Sequence, residues 1–142
     1  MYSKEDSRKL RETFWTSFGK SFPRKWILYN TKIKGMSFKF HFDIKTALIA
    51  LDLEGDLENR INTWEKLQSL QSILINEYLP SAIFEEVYFL DNGKEISRIY
   101  VPLKQKVSIH NKNSWRGVME FFNENMHQFE RFFEDYRAIL EA

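Results

Sequence analysis

The 142-residue sequence predicts an α+β domain built on a mainly antiparallel sheet. Segments in which apolar and polar residues alternate come in adjacent pairs separated by short turn signals, which is typical of β-hairpins. Segments with helical periodicity stand at both ends of the chain and between the two hairpins. The predicted order of elements is α-β-β-β-α-β-β-α, folded as one domain over residues 1 to 142.

The first helix is expected to begin after Ser3, with Asp6 completing a capping box. Its apolar stripe repeats every four residues: Leu10, Phe14 and Phe18. Gly19 is placed as the residue that ends this helix, because glycine is favoured just beyond a helix C-terminus. Residues 26 to 30, with the sequence WILYN, then predict a short strand.

The first hairpin is predicted from the alternation in residues 38 to 53. Its apolar positions are Phe38, Phe40, Phe42, Ile44, Ala47, Ile49, Leu51 and Leu53. A turn centred on Lys45 and Thr46 brings all of these side chains to one face of the sheet. In that register Lys39 lies opposite Asp52, which gives this acid a cross-strand partner.

A second helix is predicted over residues 57 to 78, with Asp56 as its N-cap. The sequence DNGK at residues 91 to 94 predicts the turn of a second hairpin. Residues 106 to 110 suggest a further short strand. Together these elements complete the sheet ahead of the last helix.

The last helix is predicted over residues 115 to 140, where apolar residues recur at alternating steps of four and three. The stripe is wide and aromatic, which favours packing on a sheet over a narrow coiled-coil seam. A homodimer through the remaining edge of this helix stays open as an alternative.

Composition excludes several classes of function. The chain has no cysteine, which removes disulfides, thiolate metal sites and cysteine nucleophiles. The charged N-terminus does not have the apolar segment of a signal peptide, and no apolar run is long enough to span a bilayer. A cytoplasmic protein without a membrane partner is therefore expected. No glycine-rich phosphate loop or nucleophile motif is present, so no cofactor is assigned.

Charge is distributed unevenly along the chain. Residues 1 to 39 hold ten Lys and Arg against three acids, a net charge of +7, and the remainder has a net charge of −6. Cations interleaved with aromatic residues suit contact with phosphates and stacking on bases. The candidate nucleic-acid-binding residues are Arg8, Arg11, Lys20, Arg24 and Lys25. The alternative is an ordinary solvated helix face with its aromatic residues in the core.

Four segments together carry a resemblance: FWTSFGKSF, FHFDIKTALIALDL, LENRINTWEKLQ and LDNGKEISRIYVPL. They resemble a functionally uncharacterised bacterial domain family whose members occur alone or C-terminal to restriction-endonuclease-like domains. The resemblance covers nearly the whole chain and implies a link to DNA processing or defence. It supplies no site residues, because the matching positions are packing and turn residues.

The only candidate metal ligands are Asp52, Glu54 and Asp56. The element order also matches the start of the PD-(D/E)XK nuclease core, in which an acid-x-Lys pair ends the third strand. Glu54 stands at the position of that lysine, so the charge that would activate a water is reversed. We therefore assign no catalytic residue and predict a non-catalytic binding or interaction module. A divergent metal-dependent nuclease and a chaperone-like dimeric module remain the alternatives.

Overall fold

The computed structural model describes residues 2–142, and the α+β class is confirmed. The helices are α1 (Lys4–Ser21), α2 (Leu57–Ser69), α3 (Gln71–Glu77), α4 (Trp115–Asp135) and α5 (Arg137–Glu141). The strands are β1 (Met36–Phe42), β2 (Ala47–Leu53), β3 (Ile83–Phe89) and β4 (Glu95–Pro102). They form one antiparallel sheet in the order β1-β2-β4-β3. The two predicted hairpins are thus neighbours within a single sheet.

The start of α1 is as predicted, but its end is not. Both bonds of the capping box are present, since the Ser3 hydroxyl accepts from the Asp6 amide and the Asp6 carboxylate accepts from the Ser3 amide. The helix continues past Gly19 to Ser21. The ring of Phe22 packs 5.7 Å from the ring of Phe18, and this contact with the core stabilises the additional turn.

Two of the short predicted strands are irregular segments instead. Residues 26 to 30 run beside the edge of the sheet, where the Phe38 amide donates one hydrogen bond to the Leu28 carbonyl. Residues 106 to 110 make a similar single contact, from the Ile109 amide to the Asp43 carbonyl. One backbone bond fixes the position of each segment without forming a ladder.

The β1–β2 hairpin has the predicted faces but a different register. Phe42 lies opposite Ala47 and Ser37 lies opposite Asp52, two residues away from the predicted pairing. The Asp43 carboxylate accepts hydrogen bonds from the amides of Lys45 and Thr46, which stabilises a longer turn. A shift of two residues keeps every remaining apolar side chain on its predicted face. Ile44, which the prediction placed on the core face, is exposed in this turn.

The helices pack against the apolar face of the sheet. α4 buries its aromatic stripe there, with the Phe129 ring 5.3 Å from the Phe38 ring and the Phe122 ring 4.9 Å from the Phe40 ring. Packing of this helix on the sheet is confirmed, and the side chains it leaves exposed are almost all polar. The second and last predicted helices are each interrupted once, at Leu70 and Tyr136. No helical segment within residues 2–142 offers the length of apolar side chains that a bilayer crossing requires.

Gly35 is the glycine on which the backbone depends most. Its φ is +77°, and an added Cβ would collide with the Glu54 carbonyl oxygen across the sheet. We expect Gly35→Ala to lower the free energy of unfolding by about 2 kcal/mol, because it combines left-handed strain with a backbone clash. Urea unfolding followed by circular dichroism measures this loss.

Gly19→Ala is the matched control, since Gly19 lies within α1 and its Cβ would meet open space. That substitution is expected to stabilise the protein by about 0.5 kcal/mol. Equal stability of the two variants would show that the position of Gly35 is not constrained.

Candidate functional site

The polar face of the sheet is centred on Asp52, whose side chain is fully buried. Asp52 on β2 lies directly beside Arg98 on β4. The Arg98 guanidinium donates to both carboxylate oxygens, at 2.7 Å from Nε to Oδ1 and 2.9 Å from Nη2 to Oδ2. The Lys39 Nζ on β1 lies 3.1 Å from Oδ2. The predicted Lys39–Asp52 contact thus exists, but it is diagonal, because Lys39 lies opposite Ala50.

The carboxylates of Glu54 and Asp56 also accept hydrogen bonds from nearby residues. The Glu54 carboxylate accepts hydrogen bonds from Lys94 at 2.6 Å and from Lys39 at 3.3 Å. The Asp56 carboxylate accepts from the Asn59 amide at 3.1 Å, which is the N-cap bond predicted for α2. Asp52 and Glu54 share Lys39, whereas Asp56 faces its own helix.

These contacts stabilise the charged forms of both acids and bases. The hydrogen bond from Lys94 is the main cause of the lowered pKa of Glu54, with a further contribution from Lys39. Burial by itself would lower the pKa of Lys39, but the carboxylates of Asp52 and Glu54 outweigh burial and raise it. Burial likewise opposes the charge of Arg98, and Asp52 reverses the effect so that its pKa is raised. The network is therefore a set of mutually neutralised ion pairs.

A network of this kind is poorly suited to hold a catalytic metal ion. Mg²⁺ is bound through carboxylate oxygens that are free to coordinate it, whereas both oxygens of Asp52 accept hydrogen bonds from a buried arginine. Within residues 2–142, no three His, Asp or Glu side chains are grouped so that they could surround a metal ion. The arrangement acts as a structural clamp between β1, β2 and β4.

Two of the predicted nucleic-acid-binding residues, Arg8 and Arg24, form ion pairs within the protein. Arg8 forms ion pairs with Glu5 and Glu12 on the surface of α1. Arg24 donates to the buried carboxylate of Glu130 at 3.1 Å, and its guanidinium lies 4.7 Å from the centre of the Trp26 ring. Arg24 thereby ties the segment after α1 to α4.

The other three predicted residues, Arg11, Lys20 and Lys25, are exposed and form no ion pair within residues 2–142. Lys20 precedes Ser21, which lines a groove of about 680 Å³ between the end of α1 and the start of α4. The opposite wall of this groove carries Lys112 and Arg116. We call this feature the α1–α4 groove, and its lining residues are Ser17, Ser21, Phe22, Lys112, Trp115, Arg116, Met119 and Glu120.

Comparison with protein families decides where the chain belongs. Residues 10–137 match the family described as a domain of unknown function, DUF4268. The chain belongs to DUF4268. This match confirms that part of the sequence resemblance which pointed to a family of unknown function. Comparison of the chain with curated proteins and with solved structures gave no match.

Sequence reasoning missed several residues that shape the polar face of the DUF4268 domain. Arg98, Tyr88 and Tyr100 all lie on the second hairpin, where the Arg98 guanidinium stacks 4.5 Å from the centre of the Tyr88 ring. The Tyr100 hydroxyl donates to Glu85 at 2.6 Å, and burial together with this bond raises the pKa of Tyr100 to about 12. The alternation in ISRIYVP places Arg98 and Tyr100 on one face, but their partners depend on a register that this alternation does not specify.

Proposed function

We propose that this DUF4268 domain is a non-catalytic binding module that contacts nucleic acid through the α1–α4 groove. The observation that carries the proposal is a concave surface with exposed cations on one wall. Lys112 and Arg116 line that wall, the hydroxyls of Ser17 and Ser21 line the other, and the exposed Lys20 precedes Ser21 in the sequence. Lysine, arginine and serine side chains are common donors to phosphate oxygens.

The balance of charge on the two sides of the molecule supports this choice. In the α1–α4 groove the only lining acid is Glu120, which is already paired with Arg116 at 3.0 Å. On the polar face of the sheet the acids outnumber the bases: Asp43, Asp52, Glu54, Glu85 and Asp91 against Lys39, Lys94 and Arg98. A polyanion therefore meets less repulsion at the α1–α4 groove than on the polar face of the sheet.

The groove also has an apolar floor, formed by Phe22, Trp115 and Met119. Trp115 is almost fully buried, and its indole nitrogen donates to the Ile109 carbonyl at 3.0 Å. The floor is thus rigid, and Lys112 lies 5.8 Å from the centre of the Trp115 ring. A fixed floor with cations on its rim supports sequence-independent contact with a nucleic-acid backbone, which agrees with the DNA-related context that the resemblance implies.

The proposal predicts a salt-sensitive interaction that depends on the groove cations. Wild-type protein is expected to bind labelled single-stranded or duplex DNA or RNA, with affinity falling at least about tenfold between about 50 and 200 mM salt. The double variant Lys20→Glu/Lys112→Glu is expected to bind at least about tenfold more weakly at low salt, because two phosphate contacts become repulsive. Fluorescence anisotropy titrations measure both effects.

The matched control is Lys34→Glu/Lys45→Glu, which makes the same change of charge at exposed lysines outside the groove. Equal binding by the two double variants, or no binding by the wild type at low salt, would refute the proposal. The same substrates incubated with Mg²⁺ or Mn²⁺ are expected to stay intact. Cleavage that disappears in Asp52→Ala, while that variant keeps a cooperative thermal melt, would instead establish the nuclease alternative.

A further inference from the structure

A second cavity opens on the polar face of the sheet, on the side opposite the helices. Its volume is about 440 Å³, within the usual range for small-ligand sites. The turn between β1 and β2 forms one wall with His41 and Asp43. The β3–β4 hairpin forms the other wall with Tyr88 and Asp91, and Arg98 lies between the walls. We call this feature the sheet-face cavity.

Arg98 is held in one orientation and still has hydrogen-bond donors to offer. Its side chain is only 9% exposed, and Asp52 occupies Nε and one N–H of Nη2. A guanidinium carries five N–H donors. Within residues 2–142 the Asp52 bonds leave Nη1 unused, and the Tyr88 hydroxyl is the other side-chain group that interacts with the guanidinium. Arg98 lines the cavity, so the donors of its outer edge are shared between Tyr88 and a ligand there.

Tyr88 supplies the aromatic wall of the cavity. The Tyr88 ring is fixed by its contacts with the Arg98 guanidinium at 4.5 Å and with the Tyr100 ring at 5.6 Å. Phe89, the next residue of β3, lies opposite Glu95, and Glu95 is paired with Arg60 of α2. Because successive strand side chains alternate between faces, the Phe89 ring is directed to the helical face and is not part of this wall.

One acceptor in the cavity is free. Asp43 uses Oδ1 for the amides of Lys45 and Thr46, and its Oδ2 lies 2.8 Å from His41 Nε2. These hydrogen bonds outweigh its burial and lower the pKa of Asp43, so it stays charged and engaged in the turn. The Asp91 carboxylate is exposed and has no hydrogen bond within residues 2–142. Asp91 is therefore the acceptor available to a ligand.

We infer that the sheet-face cavity binds a guanine base. The outer edge of Arg98 matches the O6 and N7 acceptors of guanine, which is the commonest bidentate contact between arginine and a base. The Asp91 carboxylate can then accept from the N1 and N2 donors on the other edge of the same ring. The Tyr88 ring provides the aromatic surface beside the base.

The charges of the cavity select a base over a free anion. Asp52 already neutralises Arg98, and Asp43 and Asp91 add negative charge. A phosphate or carboxylate on its own would meet this repulsion, whereas a neutral base uses the same donors without it. Adenine presents an N6 donor where guanine presents O6, so it would direct a donor at the Arg98 donors. This inference does not rest on the nucleic-acid binding proposed for the α1–α4 groove.

Isothermal titration calorimetry with guanosine and adenosine tests the inference on the full chain. Guanosine is expected to bind saturably and at least about tenfold more tightly than adenosine, because only guanine satisfies both Arg98 and Asp91. Asp91→Asn is expected to weaken guanosine binding about tenfold. The exposed residue Asp91 is chosen because its loss leaves the Asp52–Arg98 pair intact.

Glu86→Gln is the control for Asp91→Asn, since Glu86 is an exposed acid of β3 that does not line the cavity. Absence of saturable guanosine binding, equal affinity for adenosine, or full affinity in Asp91→Asn would overturn the inference. A free nucleotide and a nucleic-acid strand are the two sources of such a base. Titrations with GMP and with a single-stranded oligothymidine that holds one guanosine distinguish them. Tighter binding of GMP indicates a free nucleotide, and tighter binding of the oligonucleotide indicates an unpaired base in a strand.

Discussion

Removal of residues 114–142 is expected to abolish cooperative folding of the remaining chain. α4 contributes nine buried residues to the protein, and Phe122, Phe129 and Phe133 among them are fully buried. Burial of a large apolar side chain contributes about 1.5–3 kcal/mol. The summed loss equals or exceeds most of the range of about 5–15 kcal/mol that separates the folded and unfolded states of a typical domain. A thermal melt followed by circular dichroism is expected to show no cooperative transition.

A shorter truncation serves as the control. Removal of residues 141 and 142 keeps Leu140, which is 2% exposed and is the last buried residue of the chain. This variant is expected to melt cooperatively, close to the wild type. An intact cooperative transition in the chain that ends at Asn113 would show that residues 1–113 form an independent unit and that α4 is an accessory.

Arg98→Met is expected to lower the free energy of unfolding by about 3 kcal/mol, because it leaves the buried Asp52 carboxylate without its bidentate partner. Asp52 is fully buried, so water cannot replace the lost hydrogen bonds. Lys39 remains 3.1 Å from Asp52, which limits the effect to the lower end of the range for broken buried pairs. Urea unfolding at neutral pH gives the change through the shift in the midpoint.

The double variant Asp52→Leu/Arg98→Met separates the cost of an unpaired charge from the value of the ion pair. Replacement of both partners by apolar residues is expected to restore most of the stability, since the desolvation cost of the buried carboxylate disappears as well. If the double variant is no more stable than Arg98→Met, the loss comes from packing, and the clamp is not electrostatic in origin. The single variant Asp52→Leu gives the loss in the free energy of unfolding that is caused by an unpaired Arg98.

The two surfaces to which we propose functions differ in charge. The Asp52–Arg98–Lys39 cluster pairs the Asp52 carboxylate with two bases, and it ties three strands together. The α1–α4 groove carries Lys112, which forms no ion pair within residues 2–142, and Arg116, which is paired with Glu120. Donors and acceptors that the clamp leaves unused meet in the sheet-face cavity. Both proposals therefore use side chains that the fold positions but does not itself require.

The sequence alone determined the features that depend on local periodicity. Alternation in residues 38 to 53 assigned the apolar face of the first hairpin, and this assignment is correct because a shift of two residues preserves the face of each side chain. Steps of four and three identified the aromatic stripe of α4. The caps at Ser3 and Asp56 were also predictable, since each bond joins residues three apart along the chain.

Only the tertiary structure decided the features that depend on distant partners. The buried state of Asp52 required Arg98, which lies 46 residues later in sequence and meets Asp52 through the β2–β4 pairing. The engagement of Arg24 required Glu130 on α4, 106 residues away. Charge runs and strand patterns record which residues are polar, but the contacts between them follow from register and packing. Whether a given lysine or acid is free to bind a ligand is therefore a property of the fold and not of the local sequence.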